Sequence, residues 1–543
     1  MAFYFFLLLC CVYGVSMPHI LHAQAGTKQR TIAQTGTLTP IRSLNLRTQP
    51  ITVPQQFRSA FPDTRSLNIP QGYTAQIFYA GAMLNKARFM TWSPDSVLHV
   101  ANMNSGTIVA LPDRNRDGIA DTAIIVANNL SGVHDMKFYR GSLYAALERS
   151  IIKLEDTNRD GIYETRSTFI ANIAEGAPQP GGGHRTRTMV FDSARRKMYL
   201  SIGSLCNVCR SQNPGDRDFS RALIEEWNDD GTGRRTFASG VRNAVGMTLH
   251  PRTGRLWATN NGSDWQGNDI PPEWIDMVRD GGFYGYPLAH SQGVFFSSFT
   301  INDDYRALLP ITARDSAIVR SMAPAPGALV QAHSAPMAIE FANPQFPPEL
   351  RRGAFVAFRG SWNRTPPTGY KVVYLDFDDA TDTTANFVAD VVSGFQETDG
   401  RAWARPVGLA TDMRGNLYVG SDDLTQFIVV LRPTQATSTP PQKSGSGRMT
   451  PAPVSADIVP NPVESHSLVH ITLSEHTYLS MDICSTIGLR HPFLYDTFFK
   501  AGSYTLPIHT TQFPQGAYFC RITSRTAQAD HLSVATVPFM ILR

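Results

Sequence analysis

The sequence predicts an all-β fold: a six-bladed β-propeller followed by a small β-rich module. Three observations carry this reading. Gly (41) and Pro (36) are abundant and charged residues make up only 17%, the composition of a chain with many turns between short apolar strands. A strand–turn–strand unit recurs six times. Its first copies start at Phe89, Met136 and Met189, 47 and 53 residues apart, the period of propeller blades.

Each copy is a short apolar strand, a polar turn, a second strand rich in Leu, Tyr and Val, and a small or acidic ending. The copies are FMTWSPDSVLHVANM from Phe89, MKFYRGSLYAALE from Met136, MVFDSARRKMYLSIGS from Met189 and MTLHPRTGRLWATNN from Met247. A copy broken open by a longer turn starts at Met337, and LATDMRGNLYVGSDD starts at Leu409. Wider spacing puts long insertions between Trp265 and Ile339. Two β-sandwiches are the competing architecture. Six similar strand pairs favour radial blades whose loops line a central depression.

The ends read differently. Phe3–Val15 is almost wholly apolar and Ala23-Gln24-Ala25 is a small-x-small cleavage site, so residues 1–25 are expected to be an export signal. The run is too short for a stable transmembrane helix, and no Lys or Arg precedes it, which is off pattern. Residues 26–66 are a polar arm or linker, 67–433 the propeller, 434–454 a Pro/Ser/Thr linker and 455–543 the second module. The formal net charge is +4 without a concentrated Lys/Arg block, so no nucleic-acid footprint is present.

Cys10 and Cys11 leave with the signal. Cys206, Cys209, Cys484 and Cys520 remain, an even number in an oxidising compartment, and are expected to pair locally as 206–209 and 484–520. Zinc would need a second CxxC or an HxxxH. Haem attachment would need His after Cys209, where Arg210 stands.

The chemistry concentrates in Gly181–Cys209. Three glycines allow close backbone approach. His184, Arg185 and Arg187 follow, then strand-like runs Thr188–Phe191 and Lys197–Ile202, then the CxxC. A flexible lip, a titratable base and cations on a hairpin fit a reaction site; a blade carrying a surface histidine is the plainer reading. Two further segments share D-x-N-x-D-G-x-x-[DE]: Asp113, Asn115, Asp117, Asp121 and, 43 residues on, Asp156, Asn158, Asp160, Glu164. Alternating oxygen donors around a Gly suit a calcium loop. They equally suit a hairpin turn capped by its own Asx side chains.

GGHRTRTM at Gly182–Met189, GSLCNVC at Gly203–Cys209 and GVRNAVGMTLHPRTGRLWATNNG at Gly240–Gly262 are followed by GGFYGYP at Gly281–Pro287, GSWNRTPPTGYKV at Gly360–Val372 and RPVGLATD at Arg405–Asp412. In this order, over Leu67–Pro433, they resemble the glucose/sorbosone dehydrogenase family, closest to its L-sorbosone dehydrogenase branch. The resemblance implies oxidation of an aldose or aldehyde sugar by hydride transfer to pyrroloquinoline quinone (PQQ) with calcium, electrons passing to an external acceptor. It implies that His184 is the base, that Arg242 and Asn243 meet the quinone, and that Asn261 and Arg405 hold PQQ. Arg364 would stand in for the family's quinone-binding lysine. The carbonyls of Gly262 and Ser263 would ligate the cofactor's calcium.

Departures are specific. Gly183 replaces an Asp that precedes the histidine in the soluble glucose dehydrogenases. Leu130 stands where a glutamine is usual, and Trp403 lies near the place of a second PQQ arginine. Asn260-Asn261-Gly262-Ser263-Asp264 replaces a more acidic and basic run. His134 and His333 read as structural. Asp269 and Glu273 read either as calcium-side acids or as surface charge. A non-catalytic surface glycan- or protein-binding propeller is the alternative function; a calcium-dependent lactonase ranks below it, because the blade starts offer His, Arg and Asn instead of carboxylates.

In the last 85 or so residues, Val459-Pro-Asn-Pro-Val463 and FPQGAYFCRI at Phe513–Ile522 resemble the type A sorting domain of the type IX secretion system. This implies an immunoglobulin-like sandwich, a partner in that secretion machinery, and a secreted or cell-surface location.

Overall fold

The computed structural model describes residues 38–174, 183–210, 220–291, 293–295, 308, 310–323, 326–379, 381–434, 454–459, 461–463, 466–485, 490–510, 513, 515–526 and 532–542. The expected export signal, Gly181 and Gly182, and nearly all of the linker lie outside them. The chain divides into two compact units, one of residues 1–44 and 174–401, the other of 45–173 and 402–543.

The first unit holds three antiparallel meanders among its described residues. One runs Met189–Asp192, Lys197–Ile202, Leu223–Asn228 and Arg235–Ser239, with Gly282–Phe283 added in parallel. The next runs Ala244–Leu249, Leu256–Asn260, Glu273–Met277 and Ala328–Val330. The third runs Pro336–Phe341, Ala354–Phe358, Lys371–Asp376 and Phe387–Val392. Ile41–Ser43 pairs in parallel with its last strand, so part of the segment read as an arm is sheet. Adjacent meanders pack face to face: Val190, Tyr199 and Ile224 share a core with Met247, Leu256 and Trp274, and Trp257 and Ile275 share one with Ile339, Val356 and Val373.

The second unit repeats the pattern with Ala87–Trp92, Leu98–Asn102, Thr107–Leu111 and Ile124–Ala127, then Asp135–Tyr139, Ser142–Ala146, Ile151–Glu155 and Thr165–Ile170. Its third meander, Ala404–Thr411, Leu417–Leu424 and Phe427–Pro433, takes its outer strand, Tyr73–Tyr79, from the far end of the repeat region. Leu46–Pro50 pairs with Ser66–Pro70.

All six strand pairs read from the sequence are the first two strands of these meanders. Four of their second strands, LHVAN, SLYAA, LWATN and AFVAF, are buried along their whole length, whereas the outer strand TRSTFI is mostly exposed. Sheets covered on both faces need continuous apolar runs where they are most enclosed. Each fully buried aliphatic or aromatic side chain contributes roughly 1.5–3 kcal/mol.

The C-terminal module has two antiparallel sheets, Val454–Val459, His466–Leu473 and Gly502–His509 in one, and Arg490–Phe499, Thr477–Ser485, Gly516–Thr526 and Leu532–Ile541 in the other. Val469, Ile471 and Ile508 from the first share a core with Leu479, Met481 and Ile522 from the second.

Cys206 and Cys209 form a disulfide; Cys484 and Cys520 do not. The second expected bridge is therefore corrected, and register explains why. Cys484 pairs with Phe519 and Ile483 with Cys520. Neighbouring residues on a strand point to opposite faces, so the two thiols are separated by the sheet. A bridge would require a one-residue slip.

Candidate active site

His184, Arg242, Asn243, Asn261, Gly262 and Ser263 lie in the first unit and are joined by one polar network. It grows from loops after the strands Lys197–Ile202 and Leu256–Asn260 and from the loops before Met189–Asp192 and Ala244–Leu249.

His184 Nδ1 lies 2.9 Å from the Ser204 carbonyl and 2.9 Å from Ser204 Oγ. Ser204 Oγ donates to the Cys206 carbonyl at 2.8 Å. The hydroxyl has one proton and it is committed, so both groups facing Nδ1 are acceptors. Nδ1 must carry the proton, which leaves Nε2 with its lone pair. Nε2 has no hydrogen-bond partner among the described residues.

The pKa of His184 is held well below 6.5, first by burial of the ring, then by the charge of Arg242, with Arg221 and Arg187 adding and only the Ser204 carbonyl opposing. The imidazole is neutral at neutral pH, the form a proton acceptor needs.

The loop holding it is braced from below. Arg187, 1% exposed, donates to the His184 carbonyl at 3.0 Å, and Arg221 donates to the same carbonyl and to that of Gly203, both at 2.9 Å. Gly203 is required by packing: a Cβ there would lie 2.6 Å from both His184 Cβ and Asn243 Oδ1. Gly183 has φ +72°, and its Cβ would lie 2.1 Å from the Leu205 carbonyl oxygen. No carboxylate-bearing residue fits there, and Ser204 orients the ring instead.

Arg242, 5% exposed, is the hub. It donates to the Asn207 carbonyl at 3.0 Å, Asn207 Oδ1 at 2.9 Å, Asp264 Oδ2 at 3.2 Å and the Gly262 carbonyl. The Asn243 amide donates to Asn260 Oδ1 at 2.9 Å, and Asn261 Nδ2 to the Pro336 carbonyl at 2.7 Å. Ser263 Oγ accepts from Gln266 at 3.1 Å. Glu273 is 3% exposed and thus no surface charge; it accepts from the Gly262 amide at 3.2 Å and the Ala335 amide at 2.7 Å. Burial pushes its carboxyl up to about 8 against these two bonds. Asp269 is exposed and pairs with Arg364 at 3.1 Å.

Two expected cofactor residues make other contacts among the described residues. Arg364 engages the Asn268 carbonyl at 2.9 Å, the Pro366 carbonyl and Asp269, a brace between loops. Arg405 belongs to the second unit, where its backbone amide donates to Ser421 Oγ at 3.1 Å. There, too, Trp403 stacks on Phe427, and Leu130 is core at 1% exposure. His134 is fully buried and accepts from Arg88 at 3.1 Å; His333, in the first unit, contacts the Gly267 carbonyl at 2.8 Å.

The two D-x-N-x-D-G loops share one bonding scheme. Asp113 caps the amides of Asp117 and Gly118 as Asp156 caps those of Asp160 and Gly161, at 2.8–3.1 Å. Asn115 and Asn158 cap the same Asp amides, Asp121 accepts from the Arg114 amide, and Glu164 from that of Thr157. These bonds are those of turns capped by their own side chains. Among the described residues no group of three or more His, Cys, Asp or Glu side chains is placed to hold a metal.

Sequence reading missed Ser204, Arg221 and Asn207 as working parts. Ser204 and Asn207 lie inside the GSLCNVC motif. Arg221 acts only on backbone carbonyls, which leave no sequence signal.

The sequence profile of the TrAA12-like family matches residues 67–434. The chain belongs to the TrAA12-like family. A protein of unknown role from Borreliella burgdorferi is 26% identical over 366 residues, covering 66% of this chain and 89% of that protein. A PQQ-dependent pyranose dehydrogenase of Coprinopsis cinerea is 27% identical over 301 residues, 46% of this chain; the match spans only 40% of that enzyme. Among solved structures, the holo PQQ domain of the C. cinerea pyranose dehydrogenase aligns with TM-score 0.55 at 21% identity, over 70% of this chain and 99% of that domain. A calcium structure of the Trichoderma reesei family AA12 enzyme aligns with TM-score 0.55 at 20% identity, over 67% and 96%. At these identities the likeness is one of fold.

This TrAA12-like site has features that fit an anionic quinone. Three buried arginines, Arg187, Arg221 and Arg242, around a neutral histidine make it electropositive. Asn363 donates through Nδ2 to Asp264 at 3.0 Å, while its Oδ1 is buried without a hydrogen-bond partner among the described residues. A buried acceptor left unpaired is costly, and a bound donor or cation would satisfy it.

Proposed function

We propose that the protein is a quinoprotein oxidoreductase that oxidises a pyranose or aldehyde sugar with PQQ and calcium. The observation that carries this is the His184 tautomer: Nδ1 fixed by two acceptors of Ser204, Nε2 left as a neutral base inside an arginine-rich site. Family membership supports the cofactor class. When bound, PQQ would supply the two-electron acceptor, and calcium a Lewis acid.

The chain's own residues do the rest. His184 Nε2 takes the proton of the hydroxyl being oxidised. Ser204 fixes its ring plane, and Arg187 and Arg221 fix its backbone. Arg242 meets developing negative charge with a planar guanidinium and holds the loop carrying Asn261, Gly262 and Ser263, whose polar groups would contact cofactor and calcium. Arg405 is proposed to hold a PQQ carboxylate.

The likeness to sorbosone dehydrogenases supports an aldose or aldehyde sugar as substrate, with electrons leaving to an external acceptor. The apolar leader supports export, the six strand–turn–strand copies support six blades, and the C-terminal motifs support an immunoglobulin-like sorting module recognised by type IX secretion machinery. Among the described residues no helix is long and apolar enough to cross a membrane.

The test is to titrate the purified protein with PQQ in calcium by absorbance, then assay a pyranose panel with an artificial electron acceptor. Stoichiometric binding with dye reduction is expected; no binding would overturn the reading.

A further inference from the structure

The network of the active site ends at its outer edge in two tryptophans. Trp265 follows Asp264, the partner of Arg242, and Trp362 precedes Asn363, which donates to Asp264. Their rings meet edge to face, 4.9 Å between centroids and 85° between planes. They are 52% and 64% exposed, although large aromatics ordinarily gain stability by burial. The loops that carry them are tied to each other. Arg364 donates to the Asn268 carbonyl at 2.9 Å and to Asp269 at 3.1 Å. The Thr365 amide donates to Asn268 Oδ1 at 3.0 Å, and Asn268 Nδ2 to the Thr365 carbonyl at 2.7 Å. Trp265 itself sits at φ +69°, unfavourable for a bulky residue and sustained only where its surroundings impose it. Two loops are thus stitched together so that two indoles stand in solvent at right angles.

We infer that Trp265 and Trp362 form a stacking platform for a pyranose ring next to the one being oxidised, so that the site prefers saccharides of two or more rings. This rests on the dehydrogenase reading and extends it. The apolar C–H face of a sugar ring matches an indole face, and its hydroxyls, directed outward at the ring edge, suit the polar groups of the adjoining loops. Arg242, Asn243 and Ser263 are at most 7% exposed, so the reacting ring belongs inward and the ring on the tryptophans is the outer one. Arg364 and Asn268 act on this platform as braces, which accounts for a guanidinium otherwise unexplained by the chemistry.

Isothermal titration of the cofactor-free full-length protein with borohydride-reduced cellotriose and maltotriose tests the platform without turnover. Saturable binding of at least one alditol is expected, weakened about tenfold or more by Trp362→Ala and largely restored by Trp362→Phe, with unchanged Tm. In the PQQ-loaded enzyme the same variant should raise KM for the trisaccharide about tenfold and leave KM for the monosaccharide as it was. Absence of alditol binding to the wild type, or equal trisaccharide KM in wild type and W362A, overturns the platform and leaves the dehydrogenase reading intact. Alditol binding lost in W362A, in a protein that never turns over sugar with PQQ, upholds saccharide binding by the two tryptophans but removes the dehydrogenase reading and with it the place of the platform beside an oxidised ring.

Discussion

Ser204 faces His184 Nδ1 with two acceptors at once, its carbonyl and its hydroxyl, each at 2.9 Å. This arrangement does for the imidazole what an adjoining carboxylate does in the enzymes the motifs resemble. It fixes the tautomer without adding negative charge. Ser204→Ala keeps the carbonyl and loses one acceptor, so kcat of the PQQ-loaded enzyme should fall about five- to tenfold, the worth of one hydrogen bond of ~1 kcal/mol. Thermal unfolding should be nearly unchanged.

Burial and the neighbouring arginines set the pH profile. Burial and Arg242 lower the His184 pKa below 6.5. The protonated, inactive form accumulates only below that pKa, so kcat/KM should stay level from pH 8 down to 6.5 and fall at lower pH. An acid limb centred at or above 6.5 contradicts this.

Gly183 cannot be restored to the acid of the related enzymes. Its φ of +72° and the 2.1 Å approach to the Leu205 carbonyl exclude a side chain. Both Gly183→Ala and Gly183→Asp should lose stability by about 1–3 kcal/mol and lose activity by moving His184. Differential scanning calorimetry with an activity assay checks both; an active, equally stable Gly183→Asp enzyme contradicts the loop geometry.

Alkylation under denaturing, non-reducing conditions should label two cysteines in the chain lacking residues 1–25, Cys484 and Cys520, and leave Cys206 and Cys209 unlabelled. A peptide linking 484 to 520 in the mass spectrum would show that the strand register differs.

Much of this is legible in the amino-acid sequence. The six hairpins were visible because enclosed strands need continuous apolar runs and their turns need Gly, Pro, Asn and Asp. His184, Arg242 and Asn261 were visible because motifs carry them. Ser204 as orienting group was not, since its role lies half in a backbone carbonyl. Nor was the burial of Glu273, which depends on Gly262 and Ala335 amides from distant loops. The pairing of Cys484 with Cys520 failed for a related reason: counting cysteines ignores the alternation that put them on opposite faces. Ile41–Ser43 was read as arm or linker because an edge strand of three exposed residues has no apolar period.

The most direct test is His184→Ala in the protein reconstituted with PQQ and calcium, assayed by dye reduction with pyranoses beside the wild type. The account predicts unchanged PQQ binding and a loss of kcat of about 10²–10⁴-fold, the contribution of a positioned general base. Turnover equal to the wild type would contradict it.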